Sequence, residues 1–530
     1  VGAYPSLYPG FHRLVLDGGR VRLTLLIGEA AQTLAALHGG SVDAWFLDGF
    51  SPAKNPELWS EQIFAQVGRL SRPGTTFATY TSAGFVRRGL AAVGVAVQKV
   101  AGYGKREMSR GDFALQAEAA SAVLAAGQSS RPLPKTAQVI GSGVAGALAA
   151  RSLDDRGRKG TLLEREAQLA RHAAGNAAGI VMPVLTARPD PFSRWSFPAF
   201  GYMLRHLERL CAAGLLEDTG APGVIQLAHN EKLLKRFATA REHQPIPADL
   251  LEYVDVAQAT QLAGTPLSTG GLFYPSGRCI APVDFVRANV AAAAGGAEID
   301  VRLYTQAIEL QRDHEQWQVA GETHGQAADI PAADAVILAG GRDVAGLAQS
   351  AWLPVKPVRG QICELPADAA SSQLRTSVCY DGYITPARDG RHTVGATFEE
   401  WRDDPAVLPE HIADLIAKAR SQLPELPAVD RPEALSARVS FRTASQDRLP
   451  VVGPLPDAGG FEQTFRETGT ALMHPGLYTL TALGSRGLTY GALAAELLAA
   501  TILGEIQPVE RDLAAAVGPE RFFLRRLRKN

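Results

Sequence analysis

The first part of the chain alternates short apolar runs with amphipathic stretches. Val21-Arg22-Leu23-Thr24-Leu25-Leu26-Ile27 reads as a strand that stops at Gly28-Glu29, Ala30 to Leu37 as a helix, and Val42-Asp43-Ala44-Trp45-Phe46-Leu47 as a buried strand that stops at Asp48. Glu57 to Leu70 has helical spacing, Thr75 to Tyr80 is strand-like and Ala83 to Ala92 is helical. Strands and helices in alternation predict a parallel sheet, whose ligands gather at the carboxyl ends of its strands. Glu29 and Asp48 both fall at such ends. From Ala117 to Lys135 the pattern dissolves into Ala, Gly, Gln, Ser and Pro, the composition of an interdomain linker. Beyond Ala137, β-like segments and Gly/Pro turns prevail until a last helix near Gly491 to Leu503, without internal repeats or low-complexity tracts.

At 530 residues the chain is long enough for two or three domains. A formal net charge of −1 gives no global attraction for polyanions, so any nucleic-acid contact must come from local basic clusters. Such clusters occur at Arg69/Arg72, at Arg87/Arg88, from Lys99 to Arg110, and in the tail Arg521, Arg525, Arg526, Arg528, Lys529. Each taken alone reads more simply as a solvated helix face. Cys211, Cys279, Cys363 and Cys379 lie far apart with no metal-type spacing, so they are expected to be reduced thiols, and no metal site is predicted. No apolar run is long enough to span a bilayer, since Ala492 to Leu503 is short and interrupted by Glu496. A soluble cytoplasmic protein without a membrane partner, acting as a monomer, is expected. The chain opens on Val and enters what reads as the middle of a domain, which predicts a fragment or a processed form.

The sharpest local signal is Val139-Ile140-Gly141-Ser142-Gly143-Val144-Ala145-Gly146. Its glycines follow an apolar strand and open a small-residue helix from Val144 to Leu153. A second strand, Thr161-Leu162-Leu163, then ends in Glu164, 23 positions after Gly141, where a ribose-binding carboxylate belongs. Gly141, Gly143 and Gly146 permit a tight turn and close approach of a pyrophosphate, whose charge the helix N-terminus at Val144 and Ala145 favours. The fingerprint predicts a dinucleotide cofactor. It does not separate NAD from FAD.

Further motifs do. Gly175-Asn176-Ala177-Ala178-Gly179, Ala335-Val336-Ile337-Leu338-Ala339-Gly340-Gly341, Pro357-Val358-Arg359-Gly360-Gln361 and Gly484-Ser485-Arg486-Gly487-Leu488 occur in the order that resembles the D-amino-acid oxidase and glycine oxidase superfamily of flavoproteins. The resemblance implies FAD, bordered by Gly175, Asn176, Gly179, Gly340, Gly484, Arg486 and Gly487, and a substrate carboxylate held by an arginine beside the flavin. Ser440-Phe441-Arg442-Thr443, ahead of Asp447-Arg448-Leu449-Pro450, resembles that arginine's segment and makes Arg442 the first candidate. A guanidinium pairs a carboxylate bidentately and never deprotonates. Arg486 and Tyr383, in Asp381-Gly382-Tyr383-Ile384-Thr385-Pro386, are further candidates, although Tyr383 reads equally as a sheet tyrosine with its hydroxyl at the surface. Cys279 and Cys379 read as buried thiols and not as flavin attachment points.

Asp48-Gly49-Phe50-Ser51-Pro52 has the acid, proline and aromatic of an amino-group methyltransferase corner, where an acceptor for the amine proton sits on a rigid turn. On spacing alone it is equally a generic turn. The longer string from Asp43 through Asn55-Pro56-Glu57-Leu58-Trp59, with Leu7-Tyr8-Pro9-Gly10-Phe11-His12-Arg13 and Leu25-Leu26-Ile27-Gly28-Glu29-Ala30, resembles the methyltransferase part of the bifunctional tRNA 5-methylaminomethyl-2-thiouridine biosynthesis family, in which a flavin oxidoreductase follows. The resemblance implies an α/β chain. Residues 1–118 would form a partial Rossmann-like methyltransferase domain, 119–135 a linker, and 136–530 a FAD-binding Rossmann domain interleaved with a mixed or antiparallel substrate sheet. It further implies FAD-dependent removal of the carboxymethyl group from 5-carboxymethylaminomethyl-(2-thio)uridine in the anticodon region of tRNA. Methylation of the freed amine by S-adenosyl-L-methionine would follow, with Asp48 on the amine and Glu29 on the donor's adenosine.

Methyltransferases of this class begin with a glycine-rich donor loop, and none precedes Glu29. Either residues stand outside this sequence or this half is inactive as written. Two other readings are open: a small amino-acid or amine oxidase of the glycine oxidase type with a degenerate appendage, and an N-terminal segment that serves only to dock tRNA through Arg87, Arg88, Lys105 and Arg106.

Overall fold

A computed structural model describes residues 4–102, 104–113, 132–217, 223–294, 299–400 and 402–528. Residues 119–131 of the expected linker, together with Lys529, lie outside the described residues, as do the side chains of Lys105 and Arg106.

The N-terminal segment departs from the expected all-parallel sheet. Val21–Ile27 is a strand, but it pairs antiparallel with Gly10–Leu16, from Gly10 opposite Ile27 to Leu16 opposite Val21, as a separate hairpin. Its turn runs through Asp17, Gly18 and Gly19, all at positive φ. A distinct sheet follows in the order Val42–Leu47, Ser71–Thr79, Lys105–Phe113, Val95–Gly102. Only its first pair is parallel. The two last strands escape a reading that stops at Ala92, because their exposed faces break the apolar alternation. Glu57 to Leu70 is divided as well: a short turn at Pro56–Trp59 precedes the helix Glu61–Leu70, which buries Ile63, Phe64 and Val67 against the sheet.

The larger body is built on two large sheets, beside which the described residues form a three-stranded sheet of Thr305–Asp313, Gln316–Thr323 and Gln326–Ala327 and a two-stranded pair of Gly179–Val181 with Arg278–Ile280. The first large sheet has the order Ile299–Arg302, Lys159–Leu163, Thr136–Ile140, Ala335–Leu338, Met473–Thr481, Val451–Pro456, parallel except for the last strand. Chain order reverses between Thr136–Ile140 and Ala335–Leu338, so a crevice opens there at the strands' carboxyl ends. The helices Val144–Asp154, Pro282–Ala294 and Gly487–Ile502 cover this sheet with a core that includes Leu148, Phe285, Tyr490 and Leu493. The second is an eight-stranded mixed sheet, ending in Arg391–Gly395, Val355–Pro366 and Ala437–Ser445. Its core is a separate apolar cluster around Ile225, Val378, Ile384 and Leu415.

Helices are more numerous here than the apolar pattern suggests. Pro191–Ala212 is a helix despite Pro198 in its interior, started by Asp190, whose carboxylate accepts from Ser193 N in a reciprocal capping box. Two helices also follow the one that begins at Gly487: Arg511–Val517 and Arg521–Leu527. No helix among the described residues is long and apolar enough to cross a membrane.

The N-terminal hairpin docks on this larger body. Arg13 and Arg22 approach Glu496, in the middle of Gly487–Ile502, at 3.5 and 3.8 Å, and Arg156 pairs with the same carboxylate at 2.8 Å. Tyr202 donates to it at 3.2 Å. Arg22 also donates to the carbonyl of Asp155, and Arg205 to that of Arg13. Burial alone would raise the Glu496 carboxyl, but the arginines outweigh it and hold it down at about 2.

Candidate functional site

The glycine turn sits at the crevice. Gly141 has φ of +103°, where a side chain is strained, and a Cβ there would come within 2.8 Å of Gly340 Cα at the end of the neighbouring strand. Its N–H donates to the carbonyl of Leu163 at 2.8 Å. At Gly146 a Cβ would collide with the carbonyl oxygen of Gly141, so glycine lets the helix Val144–Asp154 start against the turn. Gly143, its N-cap, meets nothing within 4 Å of a built Cβ, which leaves the face toward the crevice open to a pyrophosphate.

Glu164 follows the strand Lys159–Leu163 as expected and is buried. It also braces the turn: one carboxylate oxygen accepts from Ser142 N at 3.1 Å and from the Ser142 hydroxyl, the other from Glu166 N at 2.8 Å. A carboxylate has about four acceptor positions, so it retains capacity for a ribose hydroxyl.

The segment from Gly175 to Gly179 lies under two side chains. A Cβ at Gly175 would come within 2.5 Å of the Arg438 guanidinium, which donates to the carbonyls of Arg171 and His172 at 2.6 and 2.5 Å. A Cβ at Gly179 would meet Leu488 at 2.5 Å. Asn176 Oδ1 is buried with no donor among the described residues, an orphaned acceptor suited to a bound polar ligand. Gly484, at φ +57°, has open space around it and precedes Gly487, the first residue of the buried helix Gly487–Ile502. Open glycines, the braced acid and the orphaned amide fit a dinucleotide across this crevice.

Arg442 comes from the strand Ala437–Ser445, which pairs with Val355–Pro366 so that Arg442 lies opposite Val358 and Ser440 opposite Gly360. Its guanidinium lies over Gly360 and donates to the carbonyl of Thr397 at 3.1 Å. No carboxylate among the described residues pairs with it. Burial pushes the guanidinium down and Tyr383 opposes that shift. Burial likewise raises the Tyr383 hydroxyl against the influence of Arg442, on a side chain that is partly buried in the strand Tyr383–Ile384. Arg486 also lacks a carboxylate partner among the described residues, and its charge opposes the burial that raises Tyr274 and Cys379. Burial pushes the thiols of Cys279 and Cys379 up to about 11 and about 12, which keeps both protonated at neutral pH.

Several functional neighbours were not legible beforehand. Thr397 and Arg438 act only through contacts between distant segments, and Gly360, quoted within a motif, takes its role from Arg442 on the neighbouring strand. Arg359, noticed for its motif, is fully buried and pairs with Glu399 at 2.5 Å, so it is a brace and not a ligand group.

The acid corner is rigid. Trp59 Nε1 donates to the carbonyl of Phe50 at 3.0 Å, and Lys54 N to that of Ser51 at 2.7 Å. Asp48 is exposed, its carboxylate accepting from Gly49 N at 2.9 Å, and the Phe50 ring is 72% exposed. Glu29 does not end a strand of the same sheet. It stands at the N-terminus of the helix Ala30–Ala35, which packs on the apolar cluster that also holds Trp45 and Leu47.

Members of three of the expected basic clusters have partners within the protein. Arg521 and Arg525 both pair with Asp447, and Arg526 with Glu462. Arg69 donates to the carbonyls of Leu34 and Leu37, and Arg72 pairs with Asp43. Lys99 pairs with Glu107. Arg88, Arg110 and Arg528 are exposed, and Lys99, Arg525 and Arg526 are exposed despite their partners.

Residues 137–501 match the family described as FAD dependent oxidoreductase, and residues 1–114 that described as S-adenosyl-L-methionine-dependent methyltransferase. Among solved structures, glycine oxidase from Geobacillus kaustophilus is similar with a TM-score of 0.57 and 22% identity, over 73% of this chain and 98% of that one. Iminodiacetate oxidase from Chelativorans sp. BNC1 is similar with a TM-score of 0.57 and 23% identity, over 72% and 100%. At such identity the likeness is one of fold. Fold and cradle together define an FAD-dependent oxidoreductase preceded by a methyltransferase-type segment.

Curated relatives match almost the whole chain. The tRNA 5-methylaminomethyl-2-thiouridine biosynthesis bifunctional protein MnmC of Ectopseudomonas mendocina (strain ymp) is 42% identical over 545 residues, 99% of this chain and 80% of the relative. That of Chromobacterium violaceum is 42% identical over 543 residues with the same coverage. The chain belongs to this family of bifunctional tRNA-modifying proteins.

Proposed function

We propose that the oxidoreductase body removes the carboxymethyl group from 5-carboxymethylaminomethyl-(2-thio)uridine at the wobble position of tRNA. The product is the 5-aminomethyl form, and the N-terminal segment serves its methylation to 5-methylaminomethyl-(2-thio)uridine. The relatives' name supports this product. The observation that carries the oxidative step is Arg442, a guanidinium largely removed from water whose hydrogen-bond partner is the Thr397 carbonyl. A buried cation without a counter-ion is costly, and a substrate carboxylate relieves that cost while being oriented by it.

The carboxymethylamine is a glycine-like secondary amine. With its carboxylate on Arg442, its methylene is fixed in the crevice, and Tyr383, protonated because burial raises its hydroxyl, donates a hydrogen bond to the bound carboxylate or accepts one from the amine. Arg486, whose charge reaches Tyr274 and Cys379, would supply a second positive charge. Gly141, Gly143 and Gly146 with Val144 and Ala145 hold the cofactor's pyrophosphate and Glu164 its ribose, while Gly175, Asn176, Gly179, Gly340, Gly484 and Gly487 border the flavin. The chemistry FAD would supply there is two-electron oxidation of that methylene, and addition of water to the resulting C=N bond would release glyoxylate and the aminomethyl group.

For methyl transfer, Asp48 orients the product amine and takes its proton, and Glu29 faces the donor, S-adenosyl-L-methionine. The substrate is the anticodon region of a tRNA, the reaction is cytoplasmic, and the protein acts as a monomer.

Anaerobic flavin bleaching of the FAD-loaded protein tests the reading. Rapid bleaching by tRNA carrying 5-carboxymethylaminomethyluridine, with none by unmodified tRNA or free glycine, is expected. Bleaching by free glycine alone would overturn it in favour of an amino-acid oxidase.

A further inference from the structure

Resting on the tRNA reading above, we infer that Phe398, flanked by Arg448, is the platform on which the pyrimidine ring of the reacting nucleotide stacks. Exposed aromatic rings are uncommon in the larger body: among its described residues, Tyr304 and Phe398 stand out at 45% and 47% exposure. Tyr304 belongs to the Glu164 side, where its N–H donates to the carbonyl of Glu166. Phe398 is adjacent in sequence to Thr397, whose carbonyl holds the Arg442 guanidinium.

The ring stands on an immobile base. Thr397 N donates to Gln361 O at 3.1 Å and Gln361 N to the Thr397 hydroxyl at 2.9 Å. On the other side, Glu399 and Arg359 exchange backbone hydrogen bonds of 3.0 and 2.9 Å, and the buried Arg359 side chain pairs with the Glu399 carboxylate. The backbone is thus fastened immediately before and after Phe398 while its side chain is left to solvent.

Arg448 is presented with similar rigidity. Its φ of +62° is unusual for arginine. The preceding residue, Asp447, is fixed by Arg521 at 2.9 Å, by Arg525 at 2.6 Å and by the Ser445 hydroxyl at 2.9 Å. The Arg448 guanidinium lies 5.9 Å from the Phe398 ring centre and forms no ion pair among the described residues. An aromatic face beside an unpaired guanidinium is the combination that unstacked nucleobases select, and RNA bases are read when splayed out of their loop.

The substrate's own chemistry sets the geometry. A short methylene–amine–methylene arm joins the pyrimidine to the carboxylate. With the carboxylate on Arg442, which the Thr397 carbonyl holds, an arm that short leaves the ring within reach of the next residue, Phe398. A substrate lacking the base has no use for Phe398.

Steady-state kinetics of Phe398→Ala, Phe398→Leu and Phe398→Tyr, with the modified anticodon stem-loop and with free 5-carboxymethylaminomethyluridine, test this. Expected is a KM rise of about fivefold or more for both substrates in the Ala and Leu variants, in line with typical base–aromatic stacking. The kcat should stay within about twofold, the flavin spectrum should be unchanged, and Tyr should restore KM. An unchanged KM overturns the inference. So does a rise for the stem-loop alone, which would assign the ring to a neighbouring base, and so does loss of kcat without rescue by Tyr, which would make the role structural. If the unaltered protein oxidises free glycine and neither RNA nor nucleoside, the tRNA reading itself fails.

Discussion

A Cβ placed on Gly360 would lie 2.6 Å from the Cζ of Arg442, so the guanidinium rests directly on a glycine of the neighbouring strand. The two are diagonal neighbours on one face of an antiparallel pair, Arg442 opposite Val358 and Ser440 opposite Gly360. Absence of a side chain at 360 is what allows the arginine to lie flat toward Thr397.

Gly360→Ala should therefore displace the guanidinium while leaving the strand pairing intact. A fall in kcat/KM of about tenfold or more is expected, since a hydrogen bond to a charged group contributes about 1.5–3 kcal/mol. Arg442→Lys should lose at least as much, because a point charge does not reproduce the bidentate fork. FAD content and melting temperature, measured alongside kinetics, should stay near the parent values for Gly360→Ala.

Glu164→Ala removes the acid that accepts from Ser142 and Glu166. FAD affinity should weaken by about tenfold to a hundredfold, because a ribose hydrogen bond is lost and the glycine turn loses its brace. Glu164→Gln should be intermediate, as its amide retains one acceptor. Fluorescence of flavin released on dilution measures this directly.

Glu496 ties the N-terminal hairpin to the flavin body through Arg13, Arg22 and Arg156. Replacing it by Ala leaves buried guanidinium groups uncompensated and should cost about 3–5 kcal/mol, read as a lower denaturant midpoint. Its folded pKa is depressed to about 2, so its contribution is fully present above the ordinary carboxyl range and is lost as pH falls toward about 2. The difference in stability between the parent and Glu496→Gln should accordingly shrink as pH drops below the ordinary carboxyl range, and an unchanged gap would count against the assigned pairing.

Asp48→Asn should abolish methyl transfer in a preparation competent for it, since an amide neither takes the amine proton nor carries the charge that orients it. Flavin reduction by the modified tRNA should be unaffected. Separate assays of glyoxylate release and of methyl incorporation distinguish the two outcomes.

The glycine turn, Glu164 and the strand ending at Asp48 were legible in the sequence because each is encoded locally: a turn that needs positive φ calls for glycine, and a helix start calls for small residues. Arg442 was a candidate only through the resemblance of its segment to a flavoprotein superfamily, since a guanidinium's chemistry alone singles out no one arginine. Contacts between distant segments were not legible. Val21–Ile27 has a strand's composition, yet only folding sends it to Gly10–Leu16 instead of the sheet of Val42–Leu47, because an apolar strand pairs with whichever edge the rest of the chain offers it. The basic tail reads as a solvated helix face, and only the fold shows that Asp447 takes Arg521 and Arg525. Gly360 beneath Arg442, Thr397 beside it and Glu496 between three arginines are likewise decided by tertiary structure, since burial and pairing, which set whether a charge is free, structural or catalytic, are properties of what surrounds a residue in space.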